Sequence, residues 1–131
     1  MYIIDFKTGK SFSKWEGLQG YDAIKARQYM FQLAFYKLLL QNDKEYSSYN
    51  IKELSLYFLD EEDENLTKLS LEVDDQLLKR VENLSKIVFR LIKELKFDIG
   101  KEYIKEDMEN KNVRDIIAFE DFLLTEYKHF L

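Results

Sequence analysis

The sequence predicts an α/β protein of α+β character, a mixed sheet flanked by helices in the order β-α-β-β-α-α. Three observations predict it. Short runs at 2–7, 51–59 and 66–73 alternate apolar and other residues, with the period of two that a strand imposes. Longer runs near 22–41, 74–97 and 112–131 carry apolar residues over several turns without a break, which suits helices. Finally, there is no proline and there are only four glycines, so long elements joined by few sharp turns are expected.

The first strand is "YIIDFK". Tyr2, Ile4 and Phe6 face one way, and Ile3, Asp5 and Lys7 the other, because successive strand side chains alternate. Thr8-Gly9 supplies a turn, and "SFSKWEGLQGY" reads as an irregular connection. Asp22 is a suitable N-cap for the helix "AIKARQYMFQLAFYKLLLQ". Its Tyr29, Phe31, Leu33, Phe35, Leu38 and Leu40 cannot share one face, so this helix expects neighbours on more than one side.

After a loop, "NDKEYSSYN", Leu54, Leu56 and Phe58 are matched by Leu69, Leu71 and Val73 across the acidic link "DEEDEN". That pattern predicts an antiparallel hairpin. The link could be imagined as a metal site, but a solvated tip that discourages edge-to-edge association is the expected role. The next helix has Leu77, Val81, Leu84, Val88, Leu91 and Leu95 at spacings of three and four, and is expected to pack across the sheet. The last helix ends among aromatic residues. His129, the lone histidine, is expected to be a surface or capping residue there.

At 131 residues the chain is one modest domain. No apolar run approaches the roughly 18–20 residues of a membrane-spanning helix, and no signal peptide is visible. Cysteine is absent, which removes disulfides, thiolate nucleophiles and cysteine-ligated zinc or iron–sulfur sites. A cytoplasmic protein with no membrane partner is expected. The net charge of −5 is uneven: residues 1–40 hold six basic against three acidic residues, and the remainder fourteen against twenty-two. Such a chain is unsuited to coating nucleic acid over its whole surface, although a local basic region can meet phosphates. Chance scatter of solvated charges would look the same.

The chemistry concentrates in the first strand. Asp5 and Lys7, two apart, project from one face and can address one bound group. A carboxylate suits a hard cation such as Mg²⁺, which takes one or two of them and keeps several waters. A neighbouring ammonium can hold an attacking water and counter charge developing on a phosphate. For an isolated Asp-x-Lys, an edge-strand ion pair would be the ordinary explanation.

The context is less ordinary. "IIDFKTGK", followed some twenty-five residues later by "QLAFY" in a long helix, resembles the RecB-like branch of the PD-(D/E)XK nuclease superfamily. In that branch a strand Asp-x-Lys, commonly with Thr-Gly after it, precedes a helix bearing Gln-x-x-x-Tyr. The matching positions are Asp5, Phe6, Lys7, Thr8, Gly9, Gln32 and Tyr36. The resemblance implies part of a restriction-endonuclease-like core and a Mg²⁺- or Mn²⁺-dependent exodeoxyribonuclease of DNA repair and recombination. It implies that Asp5 and the main-chain carbonyl of Phe6 ligate the metal and that Lys7 polarises water. Gln32 and Tyr36 would line the cleft and place DNA, with Lys10 meeting phosphate nearby. The spacing agrees independently, since residues four apart share a helical face. In the core, Gln32 could instead hydrogen-bond a backbone group.

The same resemblance exposes a departure. The family also uses an Asp from a preceding strand, often in a Gly-x-x-Asp setting, and here only four residues precede Asp5. Residues 1–131 are therefore expected to be the C-terminal portion of a RecB-like nuclease domain. The missing part would come from an N-terminal segment or from a helicase–nuclease subunit. Relatives that bind an iron–sulfur cluster use cysteines that this chain lacks. An unpaired strand at Ile3–Lys7 is also expected to pair with another copy. The competing expectation is a non-catalytic structural or DNA-guiding module, and an unrelated α+β domain is the blandest.

Overall fold

The computed structural model describes residues 1–103 and 112–131. Strand β1 (Tyr2–Lys7) leads through an irregular loop to helix α1 (Gly20–Gln41). Strands β2 (Glu53–Phe58) and β3 (Lys68–Leu71) follow, then helices α2 (Asp75–Lys93) and α3 (Val113–Glu126). The element order is the expected β-α-β-β-α-α, apart from short 3₁₀ turns.

The sheet is mixed, in the order β1-β2-β3. β1 and β2 run parallel, with Ile3 beside Leu54 and Lys7 beside Phe58. Parallel neighbours cannot be joined by a tight turn, and α1 is the crossover between them. β3 pairs antiparallel with β2, Leu54 opposite Leu71 and Leu56 opposite Leu69. This is the hairpin the alternation predicts. Val73 lies beyond the ladder but is still buried.

Leu33, Ala26 and Ala34 of α1, all with no exposed surface, pack in one cluster with Leu54, Leu56 and Phe58 of β2. Phe31 of α1 reaches the second cluster, formed by Leu84, Ile87 and Leu91 of α2 with Leu123 of α3. The expectation of neighbours on several sides of α1 is met: it lies between the sheet and the α2–α3 pair.

Four expectations need correction. The helices cover one sheet face instead of flanking it, for Tyr2, Ile4 and Phe6 on the other face are 62%, 45% and 61% exposed. α2 packs chiefly on α1, and only its first turns, through Leu77, Leu78 and Val81, join the cluster behind the sheet. Its buried stripe is Val81, Leu84, Ile87 and Leu91, leaving Val88 and Leu95 exposed, because the side that meets Leu123 of α3 runs through Leu84, Ile87 and Leu91. Leu95 in fact lies past the helix with φ of 56°, where its amide and that of Lys96 close the end on Ile92 and Leu91. Finally, Gln19, not Asp22, is the N-cap residue of α1. Asp22 sits in the first turn, where an acid favours the helix dipole, with its Oδ2 3.6 Å from Lys10 Nζ.

One buried acid ties the three helices together. Glu120 of α3 accepts from Arg27 Nε of α1 at 2.7 Å and from Arg80 Nε of α2 at 3.0 Å. Arg80 also reaches Asp121 at 2.7 Å, and its guanidinium pKa is raised by these carboxylates against the opposing effect of burial.

Gly100 marks the tightest approach. Its φ is +76°, and a Cβ there would lie 2.2 Å from Cε2 of Phe119. Left-handed backbone and overpacking both penalise a side chain. We expect Gly100→Ala to lower unfolding free energy by about 2–4 kcal/mol in urea titration. A loss below about 0.5 kcal/mol would mean the Phe119 ring moves aside freely. No helix among the described residues is long and apolar enough to cross a membrane.

Candidate active site

The parallel pairing of β1 with β2 directs Asp5 and Lys7 toward α1, on the same face as Leu56 and Phe58. Both polar side chains are mostly covered, each 16% exposed. Lys7 Nζ lies 3.1 Å from Asp5 Oδ2 and donates a 2.7 Å hydrogen bond to Oε1 of Gln32. The Tyr36 hydroxyl donates to Asp5 Oδ2 at 3.3 Å. Two residues of a strand and two of a helix thus form one connected polar cluster. Gln32 is exposed and bonded to Lys7, so the backbone-bonded core glutamine is not what occurs.

The ammonium has a third neighbour. The Tyr29 ring centroid lies 4.3 Å from Lys7 Nζ, within cation–π range. Tyr29 precedes Gln32 by one turn, so both meet the same amine. Nothing in the motif pointed to it, although the spacing 29–32–36 on one helical face was a readable signal.

Tyr36 is held as a donor. Its phenol pKa is raised, first by burial and then by the charge of Asp5 and the hydrogen bond to it, with Lys7 opposing. The neutral phenol is favoured in the folded state, so this contribution to stability is full below the unfolded tyrosine pKa and is lost as pH rises through the folded one. Among ¹³C-labelled tyrosine signals, we expect one to titrate later than a free tyrosine and to vanish in Tyr36→Phe. If every tyrosine signal titrates together, the Asp5–Tyr36 contact does not persist in solution.

The end of β1 is sewn to the end of β2. Lys7 O accepts from Leu59 N at 2.9 Å, Gly9 N donates to Asp60 Oδ2 at 3.0 Å, and the Ser11 hydroxyl donates to Glu61. Gly9 has φ of 93°, a conformation open to glycine at no steric cost. Asp60 and Glu61 therefore anchor the Thr8-Gly9 turn, which the reading of this link as a solvated tip missed. Lys10 stands on that turn with an 80% exposed side chain, facing Asp22, while its carbonyl accepts from Lys25 at 3.4 Å. It does not join the Asp5–Lys7–Gln32–Tyr36 cluster.

Asp5 is the cluster's only carboxylate. Among the described residues no group of three His, Asp or Glu side chains is placed to hold a metal ion. A Mg²⁺ ion needs no more than one or two carboxylates when waters complete its shell, so the Asp5 carboxylate is of a kind that can serve as one of its donors. His129 is exposed, its ring 4.6 Å from that of Phe130, as expected of a surface histidine. Compared with known proteins, the chain significantly matches no family model, no curated sequence and no solved structure.

Proposed function

We propose that this chain carries the Asp-x-Lys and Gln-x-x-x-Tyr half of a divalent-metal-dependent DNA nuclease site, of the RecB-like kind in the PD-(D/E)XK superfamily. The observation that carries the reading is the convergence of Asp5, Lys7, Gln32 and Tyr36, from two elements, on one bonded cluster. Residues picked by a motif alone had no structural reason to meet. Asp5 and the Phe6 carbonyl would hold Mg²⁺ or Mn²⁺, which when bound supplies charge to a phosphate and to its water ligands.

The chain's own side chains do the rest. Gln32 fixes the Lys7 amine by accepting a hydrogen bond from it, and another N–H of the ammonium is available to donate to a water or a phosphate oxygen. Lys7 lowers the cost of negative charge building at that oxygen. Tyr36 orients the Asp5 carboxylate through Oδ2. Lys10, exposed on the neighbouring turn, would meet the phosphate backbone of DNA. Further acidic donors would come from another segment or subunit of a helicase–nuclease assembly, and β1, at the edge of the sheet, is the strand beside which they would pair.

A second reading is a non-catalytic, DNA-guiding module. It is favoured by the one observation that Lys7 already neutralises the single carboxylate. Calorimetric titration with Mn²⁺ separates the two. The nuclease reading expects heat from the native chain that disappears in Asp5→Asn, together with Mn²⁺-dependent degradation of linear DNA by the complete assembly. Equal heats for both proteins, or no cleavage by the assembly, would favour the module.

A further inference from the structure

We propose that Tyr29 is a positioning residue that holds the Lys7 amine in its working place, an inference that rests on the nuclease reading for its catalytic consequence. A lysine amine sits on a flexible four-carbon stem and is a compact point charge. Asp5 and Gln32 each offer it one oxygen, at 3.1 and 2.7 Å. Two such contacts leave the amine free to swing about the line between them. The Tyr29 ring, 4.3 Å from Nζ, closes that freedom from a third direction, since ammonium groups are drawn to the face of an aromatic ring.

The ring is itself fixed. Phe12, buried, lies nearly parallel to Tyr29 at 6.1 Å with an interplanar angle of 21°. Phe12 in turn meets Phe58 edge-on at 5.4 Å. The plane that faces Lys7 is therefore set by the core of the sheet. The tyrosine hydroxyl has no part in this arrangement, because the attraction is to the π face.

That gives a distinctive expectation: phenylalanine should replace Tyr29 and leucine should not. The shielding cone above an aromatic ring moves nearby protons upfield. With lysine-labelled protein, the Lys7 ε-methylene signal should lie upfield of the other lysines and show cross-relaxation to the Tyr29 ring. Tyr29→Phe should keep the shift. Tyr29→Leu should abolish it while the Leu33 and Leu56 methyl signals, deep in the core, stay in place.

In the complete assembly, Tyr29→Leu should lower kcat about tenfold, as loss of one cation–π contact implies, with KM little changed, and Tyr29→Phe should restore it. An unshifted Lys7 signal in the native protein overturns the proposal, even if the leucine variant does not fold. So does a kcat unaffected by Tyr29→Leu in an assembly that cleaves DNA. If the native assembly does not cleave at all, the nuclease reading fails, and the Lys7 shift alone decides whether Tyr29 positions the amine.

Discussion

Lys7→Ala is expected to reduce metal-dependent DNA cleavage by the complete nuclease assembly by about 10²–10³-fold in kcat, the cost typical of removing one preorganised group that meets transition-state charge. The physical case is the placement of the amine. Its charge lies 3.1 Å from the only carboxylate of the cluster and 2.7 Å from the Gln32 oxygen, and its side chain is mostly shielded from solvent. Charges in such partly dry sites act more strongly than on an open surface. Asp5 keeps its hydrogen bond from Tyr36, and the neighbouring core of Leu33, Leu56 and Phe58 is untouched. The fold should therefore survive, and far-ultraviolet dichroism should be unchanged. Lys7→Arg should not rescue, because a larger planar guanidinium does not fit the place of a compact ammonium. Cleavage by the alanine variant within about threefold of the native rate would remove Lys7 from the mechanism.

The largest stability effect is expected elsewhere, at Glu120. Removing it by Glu120→Ala takes away the carboxylate that Arg27 and Arg80 share. The side chains of these arginines are only 19% and 26% exposed, so two partly buried cations lose a shared partner at once and only Arg80 keeps another carboxylate, Asp121. Breaking a buried pair from one side costs roughly 3–5 kcal/mol. For a domain of this size we expect a fall in Tm of about 10 °C or more. Asp121→Ala is the control: its side chain is 59% exposed, and a surface pair is worth about 0–1 kcal/mol. Calorimetric melting of the two variants would decide. If they melt together, the three-helix cluster is a surface feature and α3 is held by Leu123 and its neighbours alone.

These two sites differ in how far the sequence could announce them. Asp5 and Lys7 are two apart on a strand, and Gln32 and Tyr36 four apart on a helix, so each pair is a local fact that periodicity makes visible. Glu120 is 93 residues from Arg27 and 40 from Arg80. No spacing rule joins partners on three helices, and three charged residues in amphipathic runs look like a solvated surface. The acidic link after β2 misled for the same reason. Its charges suggested a free tip, but the parallel pairing of β1 and β2 carries Asp60 to the amide of Gly9.

What the sequence determined by itself is the local and the periodic. The first strand, the hairpin, three helices and the two polar pairs all follow from a side chain's direction being set by its neighbours within a few residues. Only the tertiary structure decided which face of β1 the helices cover, that α2 rests on α1, and that Tyr29 and Gln32 both meet Lys7. Those outcomes depend on which apolar surfaces bury each other. Hydrophobic burial is non-directional, so many pairings satisfy the same pattern until the whole chain is packed.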